Sequence, residues 1–234
     1  MAIYLADIEP RDPEQSADDA SERRRRDPEA TRLAILDAAE DLFVSHGPAA
    51  TSLSQIAKKA EVTKSLIHHH FGSKEELWRA VQERHFADYF DMQMRLLEEA
   101  DDPDTNLLEQ SMVAYYRFLQ EHPDKVRFMT WTFATKDDTC PTAHEKELFE
   151  LGIQRIREAQ ERGRIRADLE PFFVIKILIG MPFAWHQTRE ETLGLIDSDI
   201  DSDTLDDMFL VDMMKVFFEG VRPRSTDAPT DSTD

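Results

Sequence analysis

Two short helical segments, each with its own start signal and only a few residues between them, constrain this 234-residue chain more than any other feature. The first is "SLSQIAKKA", where Ser52 and Gln55 stand at capping-box spacing, so each side chain satisfies a backbone donor at the helix start. It stops near Ala60. The second runs from Thr63 to about His70, and Ser73 with Glu76 opens a fourth helix by the same device. A longer helix precedes the pair. Asp27 is its N-cap, Pro28 takes the first helical position where a missing N–H is harmless, and Gly47-Pro48 ends it after His46. Its apolar face is Ile35, Leu36, Ala39, Leu42 and Phe43.

Two short helices joined by three or four residues behind a longer one specify a helix-turn-helix. Small Ala57 lets the two helices cross closely, and Ile56, Val62, Ile67 and Phe71 have the spacing to fill a shared core. If Ile67 and Phe71 point inward at i and i+4, His68 points largely outward. The second helix of such a unit presents its N-terminal residues to the major groove. Thr63, Lys64, Ser65, Leu66 and His68 then reach base edges: Lys64 can donate to guanine, Ser65 can bond several bases, and Leu66 can pack on a thymine methyl. His68 donates or accepts according to its tautomer, while His69 or His70 meets a phosphate, as does Lys74 at the start of the fourth helix. A structural role for His70 near the hinge is equally compatible with the pattern. Should His68 meet DNA in its charged form, binding tightens as pH falls through about 6.5, where an ordinary imidazole protonates.

The run His68-His69-His70 also raises a metal site. Adjacent helical positions are about 100° apart and cannot all aim at one ion, and no second cluster supplies ligands at zinc-like spacing. No metal is expected.

The charge balance first argues against DNA, because phosphate binding depends on Lys and Arg and the formal net charge is −20. Its distribution changes that reading. Residues 1–20 carry six acids against one arginine, residues 21–80 ten bases against nine acids, and the remainder thirty-three acids against seventeen bases. The one basic cluster, Arg23 to Arg26, therefore stands just before the helix-turn-helix, as a solvated arm or a DNA-tracking one.

Cys140 is the only cysteine, which excludes an intramolecular disulfide and suits a reducing compartment. The start, "MAIYLADIEPRDPEQ", lacks a basic n-region and the apolar run of a signal peptide. The longest apolar stretch, "FFVIKILIGMPFAW", is interrupted by Lys176 and is shorter than the roughly 18 residues a membrane helix needs. These features predict a soluble cytoplasmic protein with no membrane partner.

The pattern from Arg79 to about Gly220 is a set of amphipathic helices and nothing alternates as a strand would. One spans Thr105 to Glu121 with Leu108, Met112, Tyr115, Tyr116 and Leu119 on its stripe, and ends at His122-Pro123. "DKVRFMTWTFAT" is short and aromatic, and a polar helix runs from about Thr142 to Arg162, ending at Gly163. The last two, Pro171 to about Glu191 and Thr204 to about Gly220, are the most apolar. Pro182 removes a backbone bond and is expected to kink the first of these, freeing the Leu178 carbonyl. The whole is an all-α chain: a disordered arm over 1–27, a helix-turn-helix domain over 28–78, a larger helical domain over 79–222 and a disordered tail over 223–234.

The run from about Ala30 to Trp78 resembles the DNA-binding domain of TetR/AcrR-type transcriptional regulators. The resemblance is carried by "AILDAAEDLFVSHG", "TSLSQIAKKAEVTKS" and "HHHFGSKEELW", where the family has an aromatic-rich turn, then Phe, a short spacer, Ser-Lys and Leu. By position it implies base contacts from Lys64, Ser65, Leu66 and His68, and phosphate contacts from Ser52, Ser54, His69 or His70, and Lys74. Three positions depart from the family: Glu61 stands where Gly is usual in the turn, Ser65 replaces a common Gly and His68 a common Tyr. A left-handed Glu61 would cost about 1 kcal/mol.

The resemblance further implies that the last two helices pair with their mates in a second subunit, giving a homodimer that reads two half-sites of a palindromic operator in double-stranded DNA. It also implies a small-molecule effector site in the larger domain. Tyr115, Phe128, Met129, Trp131, Phe133, Met181, Trp185 and His186 are the aromatic, Met and polar side chains that suit one as a group, although each also suits an ordinary core. The function expected is a repressor released from its operator by that effector. A DNA-binding architectural or interaction protein with no effector is the alternative. An enzyme is not expected, because no Ser-His-Asp arrangement, phosphate-cradling loop or metal-spaced ligand set is visible and the chain holds only seven glycines. No cofactor is implied.

Overall fold

The computed structural model describes residues 27–99, 105–135, 142–196 and 200–223, and every regular element among them is an α-helix. These are α1 (Pro28–Ala50), α2 (Leu53–Lys59), α3 (Lys64–Phe71), α4 (Lys74–Glu98), α5 (Thr105–Glu121), α6 (Pro123–Ala134), α7 (Ala143–Glu161), α8 (Pro171–Leu195) and α9 (Ser202–Val221). The arginine cluster at 23–26, Cys140 and the tail from residue 224 lie outside the described residues.

Local chemistry sets most helix starts. Asp27 accepts from the Glu29 and Ala30 amides at 3.0 and 3.2 Å. Ser52 and Gln55 complete a capping box, as do Thr142 and Glu145 at α7, and Ser73 and Glu76 exchange the same two bonds before α4. Helical geometry breaks at Gly47 (φ 77°, ψ 162°), and a last short turn over Pro48–Ala50 follows. Glu61, between α2 and α3, has φ 56°, the left-handed backbone that the Gly-to-Glu departure put in question. One expectation is revised: α8 continues to Leu195, past Glu191, with Pro182 buried inside it.

The chain divides into two compact units between Val81 and Gln82, inside α4. In the first, Ile35, Leu36, Ala39 and Phe43 of α1 share a core with Ile56 and Ala57 of α2, Ile67 and Phe71 of α3, and Leu77 of α4. Phe43 meets Trp78 edge to face at 5.0 Å. Fully burying each of these large side chains contributes about 1.5–3 kcal/mol, so the two short helices, too short to persist alone, are held by packing.

The second unit has two apolar clusters. Leu108, Met112 and Tyr116 of α5 pack with Ile156 of α7, Val174, Leu178 and Trp185 of α8, and Leu210, Met213 and Phe217 of α9. Tyr89 and Phe90 of α4 pack with Tyr115 and Leu119 of α5 and Val126 of α6. Between α5, α8 and α9 lies a buried carboxylate, Asp206, which is 0% exposed. Trp185 Nε1 donates to its Oδ1 at 2.8 Å, Arg189 grips both oxygens at 2.9 Å, and Gln120 donates to Oδ2 at 3.2 Å. Its main-chain carbonyl accepts from the Tyr116 hydroxyl at 2.8 Å.

Candidate nucleic-acid interface

α3 owes its orientation to two residues. Ile67 is fully buried and Phe71 nearly so, with the Arg32 guanidinium 5.3 Å over the Phe71 ring. A helix pinned at i and i+4 must turn its other side outward. Thr63, Lys64, Ser65, His68 and His69 are accordingly exposed, and Leu66 and His70 half-buried. Thr63 is also the N-cap: its hydroxyl accepts from the Leu66 amide at 3.4 Å. Ser52 and Ser54 are exposed at the start of α2, Ser52 Oγ bonding Gln55 Oε1 at 2.7 Å, and Lys74 is half-buried at the first position of α4. The ten residues singled out in the sequence thus fall on the start of α2, on α3 with its N-cap, and on the first residue of α4.

The histidines have distinct surroundings. His68 Nδ1 bonds the Gly72 carbonyl at 2.7 Å, whereas His69 and His70 meet edge to face with ring centroids 5.4 Å apart. Among the described residues no three His, Cys, Asp or Glu side chains are placed to hold a metal ion.

In the second unit a cavity of about 160 Å³ lies among α4, α5, α6, α7 and α8. Of the eight residues grouped from the sequence, Tyr115, Met129 and Phe133 line it. The other five stand elsewhere. Phe128 is buried with its ring 4.3 Å from that of His85, and Trp131 is half-buried on α6. Met181 packs on the α5–α8–α9 cluster, Trp185 stacks on Phe209 at 4.2 Å, and His186 lies 4.6 Å from the Tyr116 ring. The side chains of Met181, Trp185 and His186 turn toward α5 and α9. The cavity wall is built instead by Phe86, Tyr89 and Phe90 of α4, Phe149 of α7 and Lys176 of α8. The spacing of Phe86, Tyr89 and Phe90 at i, i+3 and i+4 was a signal for this wall.

The chemistry of the buried groups follows from desolvation. Burial pushes the ionisation of Tyr89 and Tyr115 well above the ordinary phenol value, so both remain O–H donors. Burial holds His186 below the usual imidazole range, against the opposing pull of Asp206.

On α8 and α9 an apolar surface remains uncovered within the single chain. Phe172, Phe173 and Ile177 of α8 and Met208, Val211 and Val216 of α9 are exposed, Phe173 by 62% and Val216 by 67%. Among the described residues no helix is long and apolar enough to cross a membrane.

Comparison with known proteins agrees with this geometry. Residues 35–81 match the family model of bacterial regulatory proteins of the tetR family, and residues 108–207 match the tetracyclin repressor-like C-terminal domain. The HTH-type transcriptional repressor SCO4008 of Streptomyces coelicolor is 28% identical over 159 residues, 67% of this chain and 78% of its own length. The HTH-type transcriptional repressor Rv3405c of Mycobacterium tuberculosis is 49% identical over 53 residues, but these cover only 23% of this chain and 28% of that one. Among solved structures, the putative transcriptional regulator SCO4942 of Streptomyces coelicolor has a TM-score of 0.62 at 22% identity, covering 82% of this chain and 99% of that one. A gamma-butyrolactone receptor has a TM-score of 0.59 at 22% identity, covering 86% and 92%. Likenesses at this identity show the fold. The matched family is one of DNA-binding regulators and not of enzymes. The chain belongs to the tetR family of bacterial transcriptional regulators.

Proposed function

We propose that this protein is a repressor that reads a palindromic operator as a homodimer and is released when a small molecule fills the cavity of its second unit. One observation carries the reading: Thr63, Lys64, Ser65 and His68 are exposed on the helix whose opposite side, Ile67 and Phe71, is buried. Lys64, Ser65, Leu66 and His68 read bases, with Thr63 at the helix start beside them. Ser52, Ser54, His69, His70 and Lys74 hold phosphates. One such helix touches too few bases to specify a site, whereas a two-fold pair reads half-sites a helical turn or a multiple apart. The uncovered apolar side chains of α8 and α9 supply the pairing surface, since large exposed apolar patches mark association sites.

Release requires a ligand with different affinities for the two states of the dimer. It would favour the arrangement in which the two reading helices no longer match successive major grooves, so operator affinity falls. The aromatic cavity supports an effector, and one structural neighbour is by name a ligand receptor. Strong net acidity keeps the remainder of the chain off DNA.

Selection of bound sequences from random duplex DNA at a stated salt concentration tests the reading. A palindromic consensus that Lys64→Ala abolishes is expected. Failure to enrich any sequence, or a consensus that Lys64→Ala leaves intact, would remove α3 as the reading element.

A further inference from the structure

The cavity holds two opposite charges whose situations differ. The Glu145 carboxylate is already engaged, because its Oε2 accepts from the Thr142 amide at 2.7 Å as half of the α7 capping box. It also lies at a helix N-terminus, where the backbone dipole favours a negative charge. The Lys176 ammonium is not matched in this way. It stands 5.3 Å from the Phe149 ring centre and 5.8 Å from that of Phe172, with no carboxylate in ion-pair distance among the described residues.

The neutral polar groups lean the same way. Tyr89 and Tyr115 line the cavity as protonated phenols, and among the described residues the Tyr115 hydroxyl donates to the Met129 sulfur alone, at 3.7 Å. Thioether sulfur is a weak acceptor. The Gln82 amide reaches Thr132 Oγ1 at a long 3.4 Å. These hydroxyl and amide groups stand with Lys176 around walls formed by Phe86, Phe90, Phe133 and Phe149. Its volume of about 160 Å³ is close to the roughly 150 Å³ of an apolar cavity that takes a benzene ring.

We propose that this cavity takes a small amphipathic anion, an aryl or alkyl carboxylate whose apolar body lies among the aromatic rings and whose carboxylate faces Lys176. The proposal rests on the reading of the cavity as the effector site and names the class of ligand. A cation of the same shape meets Lys176 as a like charge and finds one oxygen of Glu145 already held at its helix end. Lys176 is exposed, so its attraction is partly screened and weakens with salt.

Phenylacetate, phenylacetamide and phenethylamine have nearly one shape and three charges, and binding of each to the full-length protein can be followed by NMR titration. Phenylacetate is expected to bind about tenfold tighter than the amide, since a charge-assisted hydrogen bond is roughly twice as strong as a neutral one. Lys176→Met should erase that preference without altering amide binding, Lys176→Arg should keep it, and added salt should shrink it. Thermal melting of each variant checks that it is folded. Phenethylamine binding as tightly as phenylacetate, a phenylacetate affinity indifferent to Lys176→Met, or no binding by any of the three at millimolar concentration would overturn the ligand class. The effector reading is tested separately, by operator release: the expected charge preference without release would overturn that reading and leave the ligand class standing.

Discussion

His68 and Gly72 are joined twice: the Gly72 N–H donates to the His68 carbonyl at 2.9 Å, and His68 Nδ1 lies 2.7 Å from the Gly72 carbonyl. A carbonyl oxygen can only accept, so Nδ1 carries a proton, and in the neutral tautomer this leaves Nε2 as the acceptor. Gly72 itself is at φ 77°, a backbone that residues with a side chain rarely adopt, so this ring of bonds depends on glycine.

With Nε2 as acceptor, His68 should pair with an exocyclic amine of cytosine or adenine and not with guanine. Methylating that amine in the selected operator should weaken wild-type binding by about tenfold, within the roughly 1–3 kcal/mol range for base discrimination, and leave His68→Ala unaffected. Equal binding of methylated and plain operators would refute the assignment.

Glu61 sits in left-handed backbone at φ 56°, which costs a residue with a Cβ roughly 1–2 kcal/mol relative to glycine. Glu61→Gly should therefore stabilise the first unit by about 1 kcal/mol in denaturant unfolding. Glu61→Ala removes the charge but keeps the Cβ, so it should give little of that gain.

Asp206 is fully buried and holds Trp185, Arg189 and Gln120. Asp206→Ala leaves their donors without an acceptor and should cost about 3 kcal/mol, the lower end for a broken buried pair because Arg189 can reach water. Replacing Asp206 with Leu and Arg189 with Met together should be far milder, since an apolar pair leaves no orphaned charge. A double mutant as unstable as Asp206→Ala would show that the carboxylate does more than neutralise its partners.

His186 titrates below its unfolded value, first because burial disfavours the cation, an effect that Asp206 and a bond with the Tyr116 backbone oppose. As pH falls below about 6.5, the unfolded chain takes up the proton first. Stability is then lost with falling pH until the folded-state value is reached, and above that window the group contributes nothing. Replacing His186 with Gln should flatten the fall in Tm on the acid side of neutrality, measured by thermal unfolding.

The exposed side chains of α8 and α9 should lie inside the dimer. Phe173→Glu or Val216→Glu would bury a charge in that contact, so sedimentation should show monomers that keep their helical content and lose operator affinity. A stable dimer in both variants would place the interface elsewhere.

The sequence by itself determined the elements whose causes are local. Asp27, Ser52 with Gln55, and Ser73 with Glu76 cap their helices through atoms two or three residues away, and Ile67 and Phe71 set the face of α3 through a period internal to one helix. The tertiary structure alone decided what depends on distant partners. Tyr116 meets the Asp206 carbonyl across 90 positions, and the cavity takes side chains from Gln82 to Ile179. Trp185 and His186 go to the polar centre around Asp206 and Tyr116, while Phe86, Tyr89 and Lys176 reach the cavity. Periodicity states that a side chain faces inward, but which neighbour it meets is set by how helices far apart in the chain cross, and no local pattern encodes that crossing.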